Sequence, residues 1–141
     1  MTDVNDIKEF KIPPGIPLSI IQRLCESCGV GYDVRKDELF DKEYPVIYGS
    51  PENIENAKKY LILFTECRLS LRDIARLLRK HNIDKIYLYT DDEDLKYALS
   101  VSLKDVLFND RMEIVDGKDI LENKNYEKIE ICGKPLYIII E

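Results

Sequence analysis

The sequence predicts an α/β fold with three layers, α/β/α, built on a mostly parallel or mixed sheet of about four to six strands. Over the middle of the chain, short apolar runs alternate with helical patterns, an order that produces right-handed crossovers between parallel strands. Near the end, a turn at Gly133 and Lys134 separates residues 128–132 from residues 136–140, which predicts an antiparallel C-terminal hairpin. Because no repeat or linker interrupts this order, we expect a single α/β domain over residues 1–141.

The first elements in the chain are expected to be a short edge strand at residues 10–12 and then a helix. Apolar residues recur at three- and four-residue steps over residues 18–28, and Gly29 follows where a helix would end. Residues 31–44 are highly charged and show no clear period. A second short strand is expected at residues 44–48.

The middle of the chain supplies the strand and helix on which the functional argument depends. Ser50 and Pro51 form a helix-start signature, which predicts a short helix over residues 51–58. The nearly continuous apolar run at residues 60–64 is typical of a strand that is buried on both faces. The amphipathic pattern at residues 69–80 predicts the helix that follows this strand.

The remaining elements complete the predicted sheet. Strands are expected at residues 86–89 and 112–115, with a helix over residues 91–102 that is capped by Thr90 or Asp91. The hairpin consists of residues 128–132 and 136–140. If residues 136–140 form an exposed edge of the sheet, this apolar strand is a natural seam for a homodimer by strand addition.

Composition favours a folded protein of the cytoplasm. Hydrophobic residues make up 45% of the chain and charged residues 34%, and no apolar run approaches the ~20 residues of a membrane-spanning helix. The first residues lack a basic segment followed by an apolar one, so we expect no secretory signal. Abundant Ile, Lys and Glu, a single Gln and no Trp are typical of thermophile proteins, including archaeal ones. The net charge of −6 opposes non-specific binding to nucleic acid.

Cys67 is the sequence's candidate catalytic residue. In the predicted arrangement it follows a buried strand and precedes a helix by two or three residues. Its sulfur would then lie near the amides of a helix N-terminus, which stabilise a thiolate and bind anions. Arg68 and Arg72 flank it and would act in the same direction.

The segment CRLSLR at residues 67–72 is similar to the active loop of the rhodanese family, in which a cysteine follows a strand, arginines lie one and five residues on, and a helix begins. The residues DVR at 33–35 resemble the first-strand signature of that family, so the resemblance spans residues 33–89. It implies a sulfurtransferase or sulfur carrier in which Cys67 holds the persulfide.

A second resemblance concerns architecture. From residue 49 to residue 116, the order and spacing of the predicted elements resemble the ribosomal and kink-turn RNA-binding proteins with a three-layer α/β/α fold. The pattern with which that family contacts RNA is not reproduced at residues 50–53. The resemblance therefore implies a shared fold without the RNA-binding function, since a fold does not fix a function.

A basic helix face supports the leading functional hypothesis. Basic residues recur along one face of residues 68–80 at three- and four-residue steps: Arg68, Arg72, Arg76, Arg79 and Lys80. They concentrate positive potential that suits an acidic protein or the phosphates of a nucleic acid. The leading hypothesis is a small binding or interaction module that acts through this face and the adjacent strand-end loops. The plainer interpretation is a solvated face whose charges balance acids elsewhere.

We expect no cofactor, but two groups of residues have the chemistry of metal ligands. Glu66, Asp91 and Asp92 would lie at strand ends and form a carboxylate cluster for Mg²⁺, the basis of a third hypothesis, a Mg²⁺-dependent enzyme. Acids in a first helical turn are, however, ordinary helix chemistry. Cys25 and Cys28 have a spacing that suits zinc, a disulfide or packed thiols; zinc would need further ligands, and the chain has no second pair at this spacing.

Overall fold

The computed structural model describes residues 6–122 and 125–140 of the chain. Helices and two separate β-sheets make up these residues, which confirms the predicted α/β class. The chain divides into two compact units, Met1–Leu61 and Ile62–Glu141. Whether the two units unfold together, as a single domain would, stays a prediction.

The first unit contains a three-stranded antiparallel sheet. Strands β1 (Lys8–Lys11), β2 (Gly31–Asp37) and β3 (Lys42–Gly49) lie in the order β1–β3–β2. Helix α1 (Leu18–Cys28) has the predicted bounds, and it ends at Gly29, whose φ of 68° is the left-handed conformation that suits glycine. The buried apolar side chains of this unit include Ile12, Ile20, Ile21, Leu24, Val30, Val46 and Ile47.

Strand β2 is an element that the sequence pattern does not predict. Its side chains are mostly exposed and many are charged, so the apolar alternation on which a strand prediction depends is hidden. Arg35 on this strand forms ion pairs with Asp33 and with Glu9 of β1. The strand register pairs Gly31 with Tyr48, and a Cβ at position 31 would collide with the Tyr48 ring. Glycine therefore lets that ring lie directly against the strand.

Helix α2 (Pro51–Lys80) corrects the prediction for the middle of the chain. The sequence predicts a strand at residues 60–64 between two helices, but all 30 residues of α2 are helical. The helix begins where it is expected, and Ser50 Oγ accepts a hydrogen bond from Asn53 N at 3.2 Å. Within the described ranges, no helix combines the length and apolarity that crossing a membrane requires.

The reason for this correction is a stripe of buried side chains along α2. Buried positions recur at steps of mostly three and four residues over its whole length: Ile54, Ala57, Tyr60, Leu61, Leu63, Phe64, Cys67, Leu71, Ile74, Ala75 and Leu78. Within the run at residues 60–64, Ile62 is 56% exposed. The run is therefore the widest part of a helical stripe, and a strand buried on both faces is excluded there.

The second unit is built on a four-stranded mixed sheet. Strands β4 (Ile86–Tyr89), β5 (Met112–Ile114), β6 (Tyr126–Ile131) and β7 (Lys134–Ile140) lie in the order β5–β4–β7–β6. Strands β6 and β7 form the predicted C-terminal hairpin. Among the described strand pairs, β4 with β5 is the one that is parallel, so the sheet is mixed rather than mostly parallel. Because β7 lies between β4 and β6, it is not an edge strand and offers no dimer seam, whereas the homodimer itself stays a prediction.

One α-helix and two short 3₁₀ turns lie in the connections between the strands of this sheet. Helix α3 (Glu93–Leu103) is capped by Asp92, whose Oδ1 accepts a hydrogen bond from Leu95 N at 2.9 Å. The 3₁₀ turns are Asn109–Arg111 and Lys118–Leu121. The fully buried side chains of this unit include Phe64, Leu71, Leu88, Leu95, Leu99, Leu136 and Ile139.

The two family resemblances share one structural requirement. Both the active loop of the rhodanese family and the element order of the kink-turn RNA-binding proteins need a strand that ends near residue 64. In this chain that position is the interior of α2. The strand–loop–helix order is therefore not present at residues 60–80.

Candidate functional site

A groove in the second unit brings together part of the predicted basic face. Its volume is about 270 Å³. Helix α2 provides one wall with Arg72, Ala75, Arg76 and Arg79, and the segment after α3, residues 105–108, provides the other. We call this the basic groove. It combines guanidinium groups with apolar surface, a composition that suits an anionic ligand with an apolar part.

The arginines of the basic groove are weakly neutralised by the protein itself. Arg76 Nη1 lies 3.5 Å from Asp73 Oδ1, and both side chains are largely exposed. Arg72 and Arg79 are also exposed and form no ion pair with any residue of 6–122 or 125–140. Asp105 is the acid that lines the groove. Positive charge therefore predominates in the groove.

Phe108 gives the second wall an aromatic ring. Its φ of 62° and ψ of 27° place it in the left-handed region, which is an outlier for a bulky side chain. Arg111 holds this conformation, because its N–H donates to the Phe108 carbonyl at 2.9 Å and its guanidinium lies 4.8 Å from the ring centroid. Such strain, of the order of 1–3 kcal/mol, persists where surrounding contacts over-determine it, and it clusters at functional sites.

The structure gathers only part of the predicted basic set. Arg72, Arg76 and Arg79 line the groove. Arg68 lies elsewhere on α2, with its guanidinium 5.6 Å from the Phe64 ring centroid, and Lys80 is exposed at the end of the helix without lining the groove. Three of the five predicted basic residues therefore line one groove, and their role in binding stays a prediction.

Sequence reasoning missed the second wall entirely. Residues 105–108 carry no motif, and Arg111 follows them in a short 3₁₀ turn. The one available signal was the pair Leu107 and Phe108, which are large apolar residues in an otherwise polar connection. Leu107 is 78% exposed and Phe108 is half-buried, so neither side chain belongs to the buried core.

Cys67 occupies an environment opposite to the one predicted. It lies in the interior of α2, where the amides are bonded within the helix, and its side chain is fully buried. Burial raises the pKa of the Cys67 thiol to about 12, and the hydrogen bond with Ser102 lowers it only in part. A thiolate is disfavoured there, so the geometry gives the sulfur-carrier hypothesis no support.

The proposed carboxylate cluster is not gathered. Glu66 is exposed on α2, and Asp91 and Asp92 follow β4. Burial raises the pKa of Asp92, but hydrogen bonds from Lys134 Nζ, at 2.6 Å, and from backbone amides outweigh it, so the net direction is downward. Asp92 thus serves as a helix cap and ion-pair partner. Across the described residues, no three His, Cys, Asp or Glu side chains form a group that could hold a metal ion.

The cysteine pair at the end of α1 shows no sign of special chemistry. All four cysteines, Cys25, Cys28, Cys67 and Cys132, are thiols with no disulfide between them. Burial, followed by the nearby carboxylate of Glu26, raises the pKa of Cys25. A raised pKa disfavours the thiolate form of Cys25.

Comparison with known proteins identifies relatives but no activity. The model of the "Uncharacterized protein MJ0093 family" matches residues 7–138. The chain is 48% identical, over 133 residues, to "Uncharacterized protein MJ0093" of the thermophilic archaeon Methanocaldococcus jannaschii. The aligned segment covers 94% of this chain and 91% of that protein. No solved structure matches the chain significantly. The chain belongs to the MJ0093 family.

Proposed function

We propose that this member of the MJ0093 family is a binding module that receives a negatively charged partner in the basic groove. The observation that carries the proposal is the pair Arg72 and Arg79. Both are exposed, both line the groove, and neither is ion-paired within the described residues. Their charges are therefore available to a partner.

Electrostatics support the same proposal. The chain carries a net charge of −6, so a concentration of arginine gives one surface a sign opposite to that of the whole. The ion pair between Arg76 and Asp73 is exposed and long, at 3.5 Å, and such pairs contribute about 0–1 kcal/mol. A polyanion would displace Asp73 from Arg76 at little cost and would gain three guanidinium contacts.

The other hypothesised functions lack a supporting observation of this kind. A sulfurtransferase needs an accessible thiolate, and Cys67 is buried with its pKa raised to about 12. A Mg²⁺-dependent enzyme needs converging carboxylates, and Glu66, Asp91 and Asp92 do not converge. We therefore propose no second function.

Retention on immobilised heparin tests the proposal, because heparin is a polyanion that is neither peptide nor nucleic acid. The wild-type protein is expected to bind at low salt despite its net charge of −6. The double variant Arg72→Ala/Arg79→Ala is expected to elute at clearly lower salt, since it lacks two of the three charges that the groove presents.

A matched control removes the same amount of charge elsewhere. Lys59 and Lys104 are exposed, do not line the groove and form no ion pair within the described residues. The variant Lys59→Ala/Lys104→Ala should elute like the wild type. Equal shifts in the two double variants, or no retention of the wild type, would contradict a site at the groove.

A further inference from the structure

We infer that the partner received by the basic groove is single-stranded nucleic acid, with successive phosphates on Arg72, Arg76 and Arg79 and a base stacked on Phe108. This inference rests on the proposed function and names the chemical class of its ligand. Three features of the groove carry it: the length of the arginine row, the ring in the opposite wall, and the walled shape of the groove.

The arginine row is longer than a single phosphate group. Arg72 and Arg79 are seven residues apart on one α-helix, and a rise of 1.5 Å per residue separates them by about 10 Å along the helix axis. Arg76 lies between them. A ligand that satisfies all three guanidinium groups therefore carries several negative charges in a line, as a nucleic-acid backbone does.

The opposite wall provides the surface that a base needs. Phe108 lines the groove together with Val106, and Ala75 on α2 adds a small apolar side chain. The Arg111 guanidinium lies over the Phe108 ring, 4.8 Å from its centroid, and supports the ring in the wall of the groove. Single-strand binding sites combine these same two components, a basic track for the backbone and aromatic side chains for the bases. A chain of acidic amino acids has no aromatic group to stack on the ring.

The shape of the groove favours a single strand over a duplex. A helix reads a duplex by entering the major groove, which requires a helix with its recognition face clear. Here residues 105–108 line the same cavity as the α2 arginines and wall that face on one side. In a duplex the bases are also stacked on each other, so none is free to contact Phe108. Asp105, the acid of the groove, is an acceptor for exocyclic amino groups of an unpaired base.

Fluorescence anisotropy with an abasic strand isolates the contribution of the base. The probes are an oligonucleotide roughly 12 nucleotides long, an abasic sugar–phosphate strand of the same length, the corresponding duplex, and polyglutamate of equal charge. Phe108→Ala is expected to weaken binding of the base-containing strand by about 5-fold to 150-fold and to leave the abasic strand unchanged. Phe108→Trp is expected to restore tight binding.

Two controls keep the test independent of folding. Phe40→Ala removes an exposed phenylalanine, 66% exposed, outside the groove, and should not change binding. Phe108→Gly removes the ring and also relieves the strain of the left-handed backbone conformation. We expect it to lose as much binding as Phe108→Ala and to be at least as stable as that variant. Circular dichroism of each variant verifies the fold.

Salt dependence tests the phosphate contacts separately. With three contacts, the logarithm of the binding constant should fall with the logarithm of salt concentration with a slope of about −2. Arg79→Ala should reduce the slope by about 0.7, and Lys59→Ala should not change it.

The outcomes separate the inference from the proposed function. If polyglutamate or the duplex binds as tightly as the single strand, or if Phe108→Ala weakens the abasic and base-containing strands equally, the inference is wrong. Arginine-dependent retention on heparin would then still support an anion-binding groove. If heparin retention does not depend on Arg72 and Arg79, both proposals fail together.

Discussion

Cys67 lies in the interior of α2 with its side chain fully buried, and burial raises the pKa of the thiol to about 12. At pH 8, a thiol with this pKa is ionised in roughly one molecule in ten thousand, because each unit between pH and pKa reduces the thiolate tenfold. We therefore predict that iodoacetamide labels Cys67 last among the four cysteines of the native protein. Cys132, which is exposed, should be labelled first.

Mass spectrometry of each cysteine-containing peptide over a time course measures these rates. The expected rate at Cys67 rises with pH throughout the range from 8 to 10, since its pKa of about 12 lies above that range. Cys25→Ser is the matched control, because Cys25 is not among the groups that raise the pKa of Cys67, and the substitution should leave the slow rate at Cys67 unchanged. Fast labelling of Cys67 near neutral pH would contradict the buried environment and would restore the sulfur-carrier hypothesis.

The N-terminal cap of α3 shows that local sequence preference alone does not determine which residue caps a helix. The sequence predicts Thr90 or Asp91 as the cap, whereas the structure has Asp92. All three are good capping residues, so local preference cannot choose among them. A distant contact makes the choice: Thr90 Oγ1 donates to the Pro135 carbonyl at 2.8 Å and accepts from Asp92 N at 3.2 Å, which leaves Asp92 to cap the helix.

At the scale of an element, the sequence of α2 contains one feature that indicates a continuous helix, although its apolar run resembles a strand. After Pro51, the chain has no glycine or proline before the end of the helix at Lys80. A strand followed by a loop would normally contain such a residue. A short apolar run fits a buried strand or a buried helix segment equally well, and length decides between them. The absence of a breaker over 29 residues favoured one long helix.

Glu66 provides a test of the continuous helix. It is exposed in the middle of α2, where the sequence prediction has the end of a strand and the start of a loop. If the helix is continuous, Glu66→Gly should be less stable than Glu66→Ala by about 1 kcal/mol, because glycine loses more backbone entropy in a helix. Urea denaturation of the two variants measures this difference.

The comparison of glycine with alanine at one position removes the side-chain contribution of Glu66 from both variants. Lys104 is a suitable control, because it is exposed and lies just after α3. The same pair of substitutions at Lys104 should differ less than the pair at Glu66, since fewer helical hydrogen bonds surround it. Equal stability of Glu66→Gly and Glu66→Ala would indicate that the helix is interrupted near this residue.

The strands divide into those that local patterns predict and those that depend on distant partners. The sequence predicts β4 and β5 because each is a compact, mostly apolar run, and it predicts the β6–β7 hairpin because Gly133 and Lys134 form a turn between its strands. The position of β7 in the sheet is not predicted, because it is set by pairing with β4. In that pairing, Tyr89 lies opposite Tyr137. Nothing within residues 136–140 reveals that a partner lies on each side.

At the scale of the whole molecule, the basic groove combines segments that are distant in sequence. Arg72 and Phe108 are separated by β4 and α3, so no spacing rule links them. The helical period identified the arginines because it is a local property. The ring of Phe108, on which the proposed base contact depends, could be recognised only after folding had placed residues 105–108 beside α2.

Because the chain divides into two compact units, the cooperativity of its unfolding has to be tested. The boundary between the units lies at Leu61 and Ile62, which are consecutive residues in the interior of α2. If one unit unfolded alone, α2 would end in its middle, and the backbone groups of a new helix terminus would lose their hydrogen bonds. We therefore predict one unfolding transition, as for a single domain, with equal calorimetric and van't Hoff enthalpies.

Two core variants, one in each unit, make this test decisive. Leu24 in α1 and Leu99 in α3 are both fully buried, and truncation of such a leucine to alanine destabilises by about 2–5 kcal/mol. In a cooperative chain, Leu24→Ala and Leu99→Ala should each lower the midpoint of the same single transition. If differential scanning calorimetry instead resolves two transitions, and each variant moves only one of them, the units are independent domains. In that case the basic groove, which lies within Ile62–Glu141, should keep its heparin binding at temperatures where the first unit has already unfolded.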